Sequence, residues 1–251
     1  MPRPTHPYLD WPGPCAIAHR GGASDEPENT MPAFQRAVDL GYVYLETDVH
    51  VTKDGVVVAF HDPDLLRTTG RPGRIRDLTW TEVSKALVAG REPIPRLEDL
   101  LDAFPDARVN IDCKADSAVA GLVSAIRRTK SHARICIGSF SDQRLLRLRA
   151  ALGNDLCTSL GPAQMGSLKW TGRLFGGGQA VQTPVRYRGV TLLDRRLIER
   201  AHARGLKVHV WTIDDPRQVH RLLDLGVDGI MTDRPAVLKD VLVDRGQWHE
   251  T

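Results

Sequence analysis

Residues 42–49 read Tyr-Val-Tyr-Leu-Glu-Thr-Asp-Val, and a strand period of two divides them into two faces. Tyr44, Glu46 and Asp48 share one face, while Leu45, Thr47 and Val49 share the other. The aliphatic set belongs against helices, which sends the two carboxylates to the inner side of the sheet. Two acids two residues apart on an enclosed face repel unless a cation lies between them. One short run therefore carries two expectations: a strand covered by helices outside, and a cation inside.

Working outward, short runs rich in Val, Ile and Leu alternate with longer segments of helical period, the pattern of parallel strands joined by helices. Strands are expected at 15–18, 42–49, 108–113, 134–137, 156–159, 180–182, 207–211 and 229–231. Helices are expected at 31–40, 115–128, 142–151, 194–203, 216–225 and 236–243, and Gly41, Gly205 and Gly226 each stand where a helix should end. Eight strands in 251 residues fit a single (β/α)8 TIM-type barrel. Its domain spans 14–244, after an N-terminal extension at 1–13. One stretch interrupts the alternation. An apolar run at 56–60 follows Asp54-Gly55, a hairpin turn signal, and 62–105 forms a short insertion after the second strand, with a helical piece near 81–87. Gly176-Gly177-Gly178 precedes a strand and lacks a following Lys and Ser or Thr, so it reads as a turn and not a phosphate loop.

Composition narrows the function classes. The chain is 41% hydrophobic and 26% charged, ordinary for a soluble globular protein. Lys and Arg exceed Asp and Glu by 34 to 31 without a basic run, so nucleic acid is not implied. Cys15, Cys113, Cys136 and Cys157 sit in apolar strand runs with no metal-finger spacing and read as reduced core residues. With no leader pattern and no integral membrane segment, a cytoplasmic setting is the expectation.

The third strand repeats the arrangement of the second: Asn110, Asp112 and Lys114 face one way, Ile111 and Cys113 the other. Asp112 thus adds a third inward acid. An all-oxygen set without clustered Cys favours Mg²⁺ or Ca²⁺, and the competing reading is a salt-bridge network of these acids with Lys114 and Arg20. His19 leaves the carboxyl end of the first strand, where barrels place catalytic groups, and His61 closes the 56–60 run. Two imidazoles can act as acid and base across one phosphate. Arg20 and Lys114 would neutralise its charge.

These residues carry a resemblance. His19-Arg20-Gly21, Pro27-Glu28-Asn29-Thr30, Glu46, Asp48-Val49, Asp54-Gly55, His61-Asp62 and Arg67-Thr68-Thr69 closely resemble the glycerophosphodiester phosphodiesterase family. Ile94-Pro95, Leu97-Glu98-Asp99-Leu100, Trp211-Thr212, Gly226-Val227-Asp228-Gly229 and Thr232-Asp233-Arg234-Pro235 match its later blocks, so the likeness runs from about residue 14 to 240. It implies a barrel enzyme that cleaves glycerophosphocholine or glycerophosphoethanolamine to glycerol 3-phosphate and an alcohol, with Mg²⁺ or Ca²⁺ bound. It implies that His19 and His61 are the acid/base pair and that Glu46, Asp48 and Asp112 hold the metal, although the family usually has Glu in place of Asp112. Arg20, Lys114 and Trp211 would line the phosphate or glycerol site.

Among the remaining candidates, Trp211 stands at the mouth end of the seventh strand, and Phe140 follows the fourth, where it would either wall the glycerol site or belong to the core. His209, one layer deeper, reads as a satisfied core histidine. His50 is a weak candidate to support the acids, and Asp233 a candidate to orient a mouth residue. Two alternative functions remain. A lysophospholipase D needs an apolar rim for an acyl chain, and no amphipathic membrane segment is evident; a non-catalytic glycerophosphodiester sensor would have lost one of the histidines or acids.

Overall fold

The computed structural model describes residues 6–249. Residues 1–5 of the expected N-terminal extension lie outside them. Cys15–Ala18 (β1), Tyr44–Val51 (β2), Arg108–Cys113 (β3), Ile135–Gly138 (β4), Ala180–Thr183 (β5), Lys207–Val210 (β6) and Gly229–Thr232 (β7) pair in parallel. Their spatial order is β4-β3-β2-β1-β7-β6-β5, so the first and last strands are neighbours. The gap between β4 and β5 is spanned by two single bridges, Ile137 with Thr158 and Ser159 with Ala180. This is the strand expected at 156–159. It is cut short because Gly161 and Pro162 begin a helix directly after Leu160. With that stave the sheet is a nearly closed barrel of the TIM type.

Each stave is followed by a helix: Met31–Asp39 (α1), Leu97–Ala103 (α2), Ala118–Thr129 (α3), Asp142–Leu152 (α4), Pro162–Thr171 (α5), Arg195–His202 (α6), Pro216–Leu225 (α7) and Pro235–Asp244 (α8). Local chemistry sets their ends. Proline occupies the first turn of α1, α5, α7 and α8, where its missing N–H costs nothing. Asp194 and Asp215 accept backbone N–H groups at the starts of α6 and α7. Gly226 ends α7 with a left-handed φ of 99°. Helix α5 was not among the expected helices, since Gly166 and a scatter of polar residues hide its period.

The outward residues of the strands, such as Leu45, Val49, Val109 and Ile111, pack with the buried faces of the helices into one core. Inside the barrel a second cluster fills the amino-terminal end, formed by Cys15, Ile17, Tyr44, Cys136, Cys157 and Met231 with Tyr8 and Leu9 from below. Tyr8 and Leu9 sit in one 3-10 turn, Pro7–Leu9, and burying each contributes about 1.5–3 kcal/mol. The Tyr44 hydroxyl donates to the Tyr8 carbonyl at 2.7 Å, and Arg108 donates to Asp10 O at 2.6 Å. The floor is thereby sealed and the inner cavity opens at the carboxyl ends of the strands.

The run at 56–60 forms an antiparallel strand, Val57–Ala59, that returns along β2 through Asp54-Gly55. The chain beyond it builds a small separate core from Val58, Phe60, Leu65, Ile75, Val83, Val88 and Ile94. Among the described residues no helix is long and apolar enough to cross a membrane.

Candidate active site

Parallel register decides which acids meet. Glu46 lies opposite Asn110, and Asp48 opposite Asp112, so the second and third strands bring two carboxylates side by side. His19 and Arg20 follow β1 in a 3-10 turn, His19–Gly21, that leads into left-handed Gly21. A Cβ on Gly21 would stand 2.9 Å from the Phe34 amide nitrogen, so the close approach of this turn to α1 requires glycine. The tight turn aims the Arg20 amide at Glu46 Oε2, 3.0 Å away.

One cavity of about 660 Å³ at this end is lined by all the residues expected to serve as acid/base, metal or substrate groups: His19, Arg20, Glu46, Asp48, His61, Asp112, Lys114, Phe140 and Trp211. Phe140 and Trp211 meet edge to face at 5.9 Å. Phe140 is 60% exposed, so it forms a wall and not core.

The salt-bridge network is present. Lys114 Nζ lies 2.8 Å from Asp48 Oδ1 and 2.6 Å from Asp112 Oδ2, and Arg20 Nε lies 3.1 Å from Asp48 Oδ2. Burial alone would lower the Lys114 ammonium, but Asp112 and Asp48 outweigh it and hold it up at about 12. Burial likewise opposes the Asp48 charge, and Lys114 and Arg20 overcome this to keep its carboxyl below the usual range. Glu46 has no such partner. Burial, then repulsion from Asp48, push it up to about 7.

The acids are therefore not equally satisfied. Glu46 is short of positive charge, and Asp112 Oδ1 is buried without a hydrogen-bond partner. Among the described residues no three His, Cys, Asp or Glu side chains are already gathered as a cation cage. The donor chemistry nonetheless fits a hard cation: three carboxylates, one repelled by its neighbour and one with an idle oxygen.

Each of the two expected acid/base histidines has its own carboxylate. His19 Nδ1 lies 2.7 Å from Asp233 Oδ1, with Nε2 3.8 Å from Glu46 Oε2. Burial would lower the His19 imidazole, and Glu46 and Asp233 together raise it above its ordinary value. His61 Nδ1 lies 2.6 Å from Asp62 Oδ1. His50 Nε2 meets the His61 carbonyl at 3.0 Å, so it steadies the His61 loop and not the acids. His209 is fully buried as expected, yet neither ring nitrogen has a partner, so the satisfied state is corrected. The barrel interior around it offers apolar atoms and the backbone of Gly229.

Some of the connected residues escaped strand parity because they stand in loops. Glu28 accepts from both Arg20 and Arg67, Arg67 also grips Asp62, and Asn29 donates to Asp48 at 3.2 Å. The other half of the cavity also had no sequence signal. There Pro162, Met165, Gly166, Lys169 and Trp170, spaced as one face of α5, oppose Pro184, Tyr187 and Leu192.

Residues 19–237 match the Glycerophosphoryl diester phosphodiesterase family. The chain belongs to that family. A probable glycerophosphodiester phosphodiesterase 2 of Mycobacterium tuberculosis is 43% identical over 98% of this chain and 97% of its own length. A mouse protein named a lysophospholipase D is 31% identical over 90% of this chain and 85% of its own. Among solved structures, a putative glycerophosphoryl diester phosphodiesterase from Silicibacter pomeroyi superposes with a TM-score of 0.83, at 25% identity, covering 98% of this chain and all of that one. Fold, family and the phosphodiesterase activity expected from the first block of residues agree. This phosphodiesterase is an enzyme acting on glycerophosphodiesters.

Proposed function

We propose that the chain hydrolyses glycerophosphodiesters such as glycerophosphocholine or glycerophosphoethanolamine to sn-glycerol 3-phosphate and an alcohol, with His19 and His61 exchanging protons and a divalent cation, Mg²⁺ or Ca²⁺, as cofactor. The observation that carries this reading is one cavity lined by two histidines, each paired behind with a carboxylate, beside an acid cluster with too little positive charge. Glu46, Asp48 and Asp112 would hold the cation. When bound, it supplies Lewis-acid stabilisation of phosphoryl charge.

The side chains do the remaining work. Arg20 and Lys114 line the same cavity and would balance phosphate charge that grows in the transition state. A histidine whose Nδ1–H is held by a carboxylate presents Nε2 for proton transfer, and both His19 and His61 meet that condition. One takes a proton from the nucleophile and the other gives one to the leaving alcohol. Phe140 and Trp211 form an apolar corner suited to the carbon face of glycerol. Four free, buried cysteines suit a reducing, cytoplasmic setting.

A second reading is favoured by the α5 wall. Met165, Trp170, Pro184 and Leu192 line a trough far more apolar than a small head group needs, and about 12 Å of helix borders it. An acyl chain fits that chemistry, as in a lysophospholipase D. A substrate panel separates the readings: glycerol 3-phosphate release from glycerophosphocholine and glycerophosphoethanolamine, against lysophosphatidic acid release from lysophosphatidylcholine. Turnover of the soluble diesters that disappears in His19→Ala and His61→Ala supports the first. Preference for the lysophospholipid that Met165→Gln removes supports the second. No turnover of either class would sink both.

A further inference from the structure

From Leu156 to Leu193 the sequence contains no acidic residue, in a chain with 31 acids among 251 residues. Lys169, Arg173, Arg186 and Arg188 fall in the same stretch; Lys169 pairs with Asp194 at 2.5 Å, and among the described residues no carboxylate meets the three arginines, while the whole chain is nearly balanced. Two of its exposed apolar side chains stand at the cavity mouth. Trp170 and Tyr187 line the cavity yet are 63% and 47% exposed, and Phe140 stands at the same rim.

The geometry of the rim sharpens this. Arg186–Tyr187 and Val190–Thr191 form a two-stranded hairpin after β5. Tyr187 and Val190 are direct cross-strand partners and therefore share one face, which is open to solvent. Arg188 lies over the Tyr187 ring at 5.4 Å, and Arg186 donates to Gly189 O at 2.8 Å. Among the described residues neither guanidinium meets a carboxylate. Nothing in the core calls for an aromatic, a valine and two unpaired arginines on a hairpin that overhangs a cavity.

We infer that this rim is a docking surface for an anionic lipid bilayer, with Trp170, Tyr187 and Val190 entering the head-group layer and Arg186 and Arg188 meeting lipid phosphates. Amphipathic rings flanked by arginines are the composition of the membrane interface, where the ring body is apolar and its edge polar. Each arginine near an anionic surface strengthens binding about fivefold. Two arginines are too few to neutralise a nucleic-acid backbone. Continuity with the cavity adds the functional sense: a substrate derived from lipid enters at the edge where the protein rests.

The test is sedimentation of the full chain with vesicles of phosphatidylcholine alone and of phosphatidylcholine mixed with phosphatidylglycerol, at low salt and at about 0.15 M. Wild-type protein binds the anionic vesicles at least about tenfold more tightly than the neutral ones, and less so at the higher salt. The triple variant Arg186→Glu, Arg188→Glu, Val190→Asp loses at least about tenfold of that binding. Its hydrolysis of soluble glycerophosphocholine stays at the wild-type rate, because none of these side chains lines the cavity, and that rate reports an intact fold. Val190→Asp alone gives a smaller loss. Equal binding to neutral and anionic vesicles would overturn the inference, as would a triple variant that binds like wild type. Capture by polyglutamate as tight as by vesicles would overturn it in favour of an acidic protein partner. Binding is read without turnover, so an inactive wild type would count against the proposed reaction and leave the docking result standing.

Discussion

Asp233 Oδ1 lies 2.7 Å from Nδ1 of His19, across the seam where the last strand of the barrel meets the first. An ionised carboxylate can only accept, so Nδ1 carries the proton and Nε2 is the nitrogen free to exchange one. Asp233 is itself held by its own backbone N–H, which donates to Asp214 Oδ1 at 2.8 Å. Asp233→Asn keeps the size and loses the charge. It should lower kcat by about 10–100-fold and leave KM nearly unchanged, whereas His19→Ala should cost about 10³-fold. Steady-state kinetics on glycerophosphocholine check this, and an Asp233→Asn enzyme with wild-type kcat would remove the orienting role.

If Asp48 and Asp112 hold the cation as proposed, Lys114 competes with it for the same oxygens. In the chain alone Lys114 neutralises Asp48 and Asp112, and Lys114→Met leaves those carboxylates facing each other. Since the amine is partly solvated, the loss should be about 2–3 kcal/mol, below the full cost of breaking a buried pair. A divalent ion should then restore more stability in Lys114→Met than in wild type, because it takes over the missing charge. Thermal melts with EDTA, Mg²⁺ and Ca²⁺ measure both effects. Melting temperatures indifferent to all three in both proteins would exclude the cation from these acids.

The barrel was legible because its strands alternate two chemistries at a period of two. Leu45 and Val49 on one side, with Glu46 and Asp48 on the other, define both the helix-covered face and the site. The bridging stave at Thr158 and Ser159, and the helix that begins at Pro162, were harder to read. Two residues of pairing leave no period, and α5 turns part of its face to a cavity and not to core. Loop residues were the least legible. Glu28, Asp62 and Arg67 lie apart in sequence and become neighbours only when the loops after β1 and Val57–Ala59 fold over the same mouth.

His209 gives the fold a pH dependence of definite sign. Its ring is fully buried, both nitrogens lack partners, and burial pushes it down to about 4. Between pH 4 and 6.5 the unfolded chain binds a proton here that the native chain does not, so this contribution to stability falls as pH falls through that range. It amounts to about 2 kcal/mol at pH 5. Glu46 runs the other way: with its carboxyl raised to about 7, its contribution falls as pH rises from 4.5 to 7. The comparison of wild type with His209→Leu isolates the histidine. In urea melts the variant should gain about 2 kcal/mol on wild type between pH 7.5 and pH 5, and an unchanged difference would mean that His209 is protonated or paired in the native state.

Arg67 joins two parts of the site that no strand connects. Its guanidinium donates to both Glu28 oxygens, at 2.8 and 2.6 Å, and through Nε to Asp62 Oδ2 at 2.5 Å. Glu28 in turn accepts from Arg20, and Asp62 accepts from His61. Burial opposes the Asp62 charge, but Arg67 and His61 outweigh it and draw its carboxyl down to about 2. About half of Arg67 is exposed, so its ion pairs add little stability, and the consequence of losing it should appear in the geometry of Arg20 and His61. Arg67→Met should therefore lower kcat/KM about tenfold or more while shifting stability by less than about 1 kcal/mol. Arg67→Lys should recover only part of it, because an ammonium is a single point charge and cannot span two carboxylates as a planar fork does. Kinetics and melts on the two variants decide the matter: a large loss of stability with normal kinetics would make Arg67 a fastener of the insertion, whereas the reverse ties the insertion to catalysis.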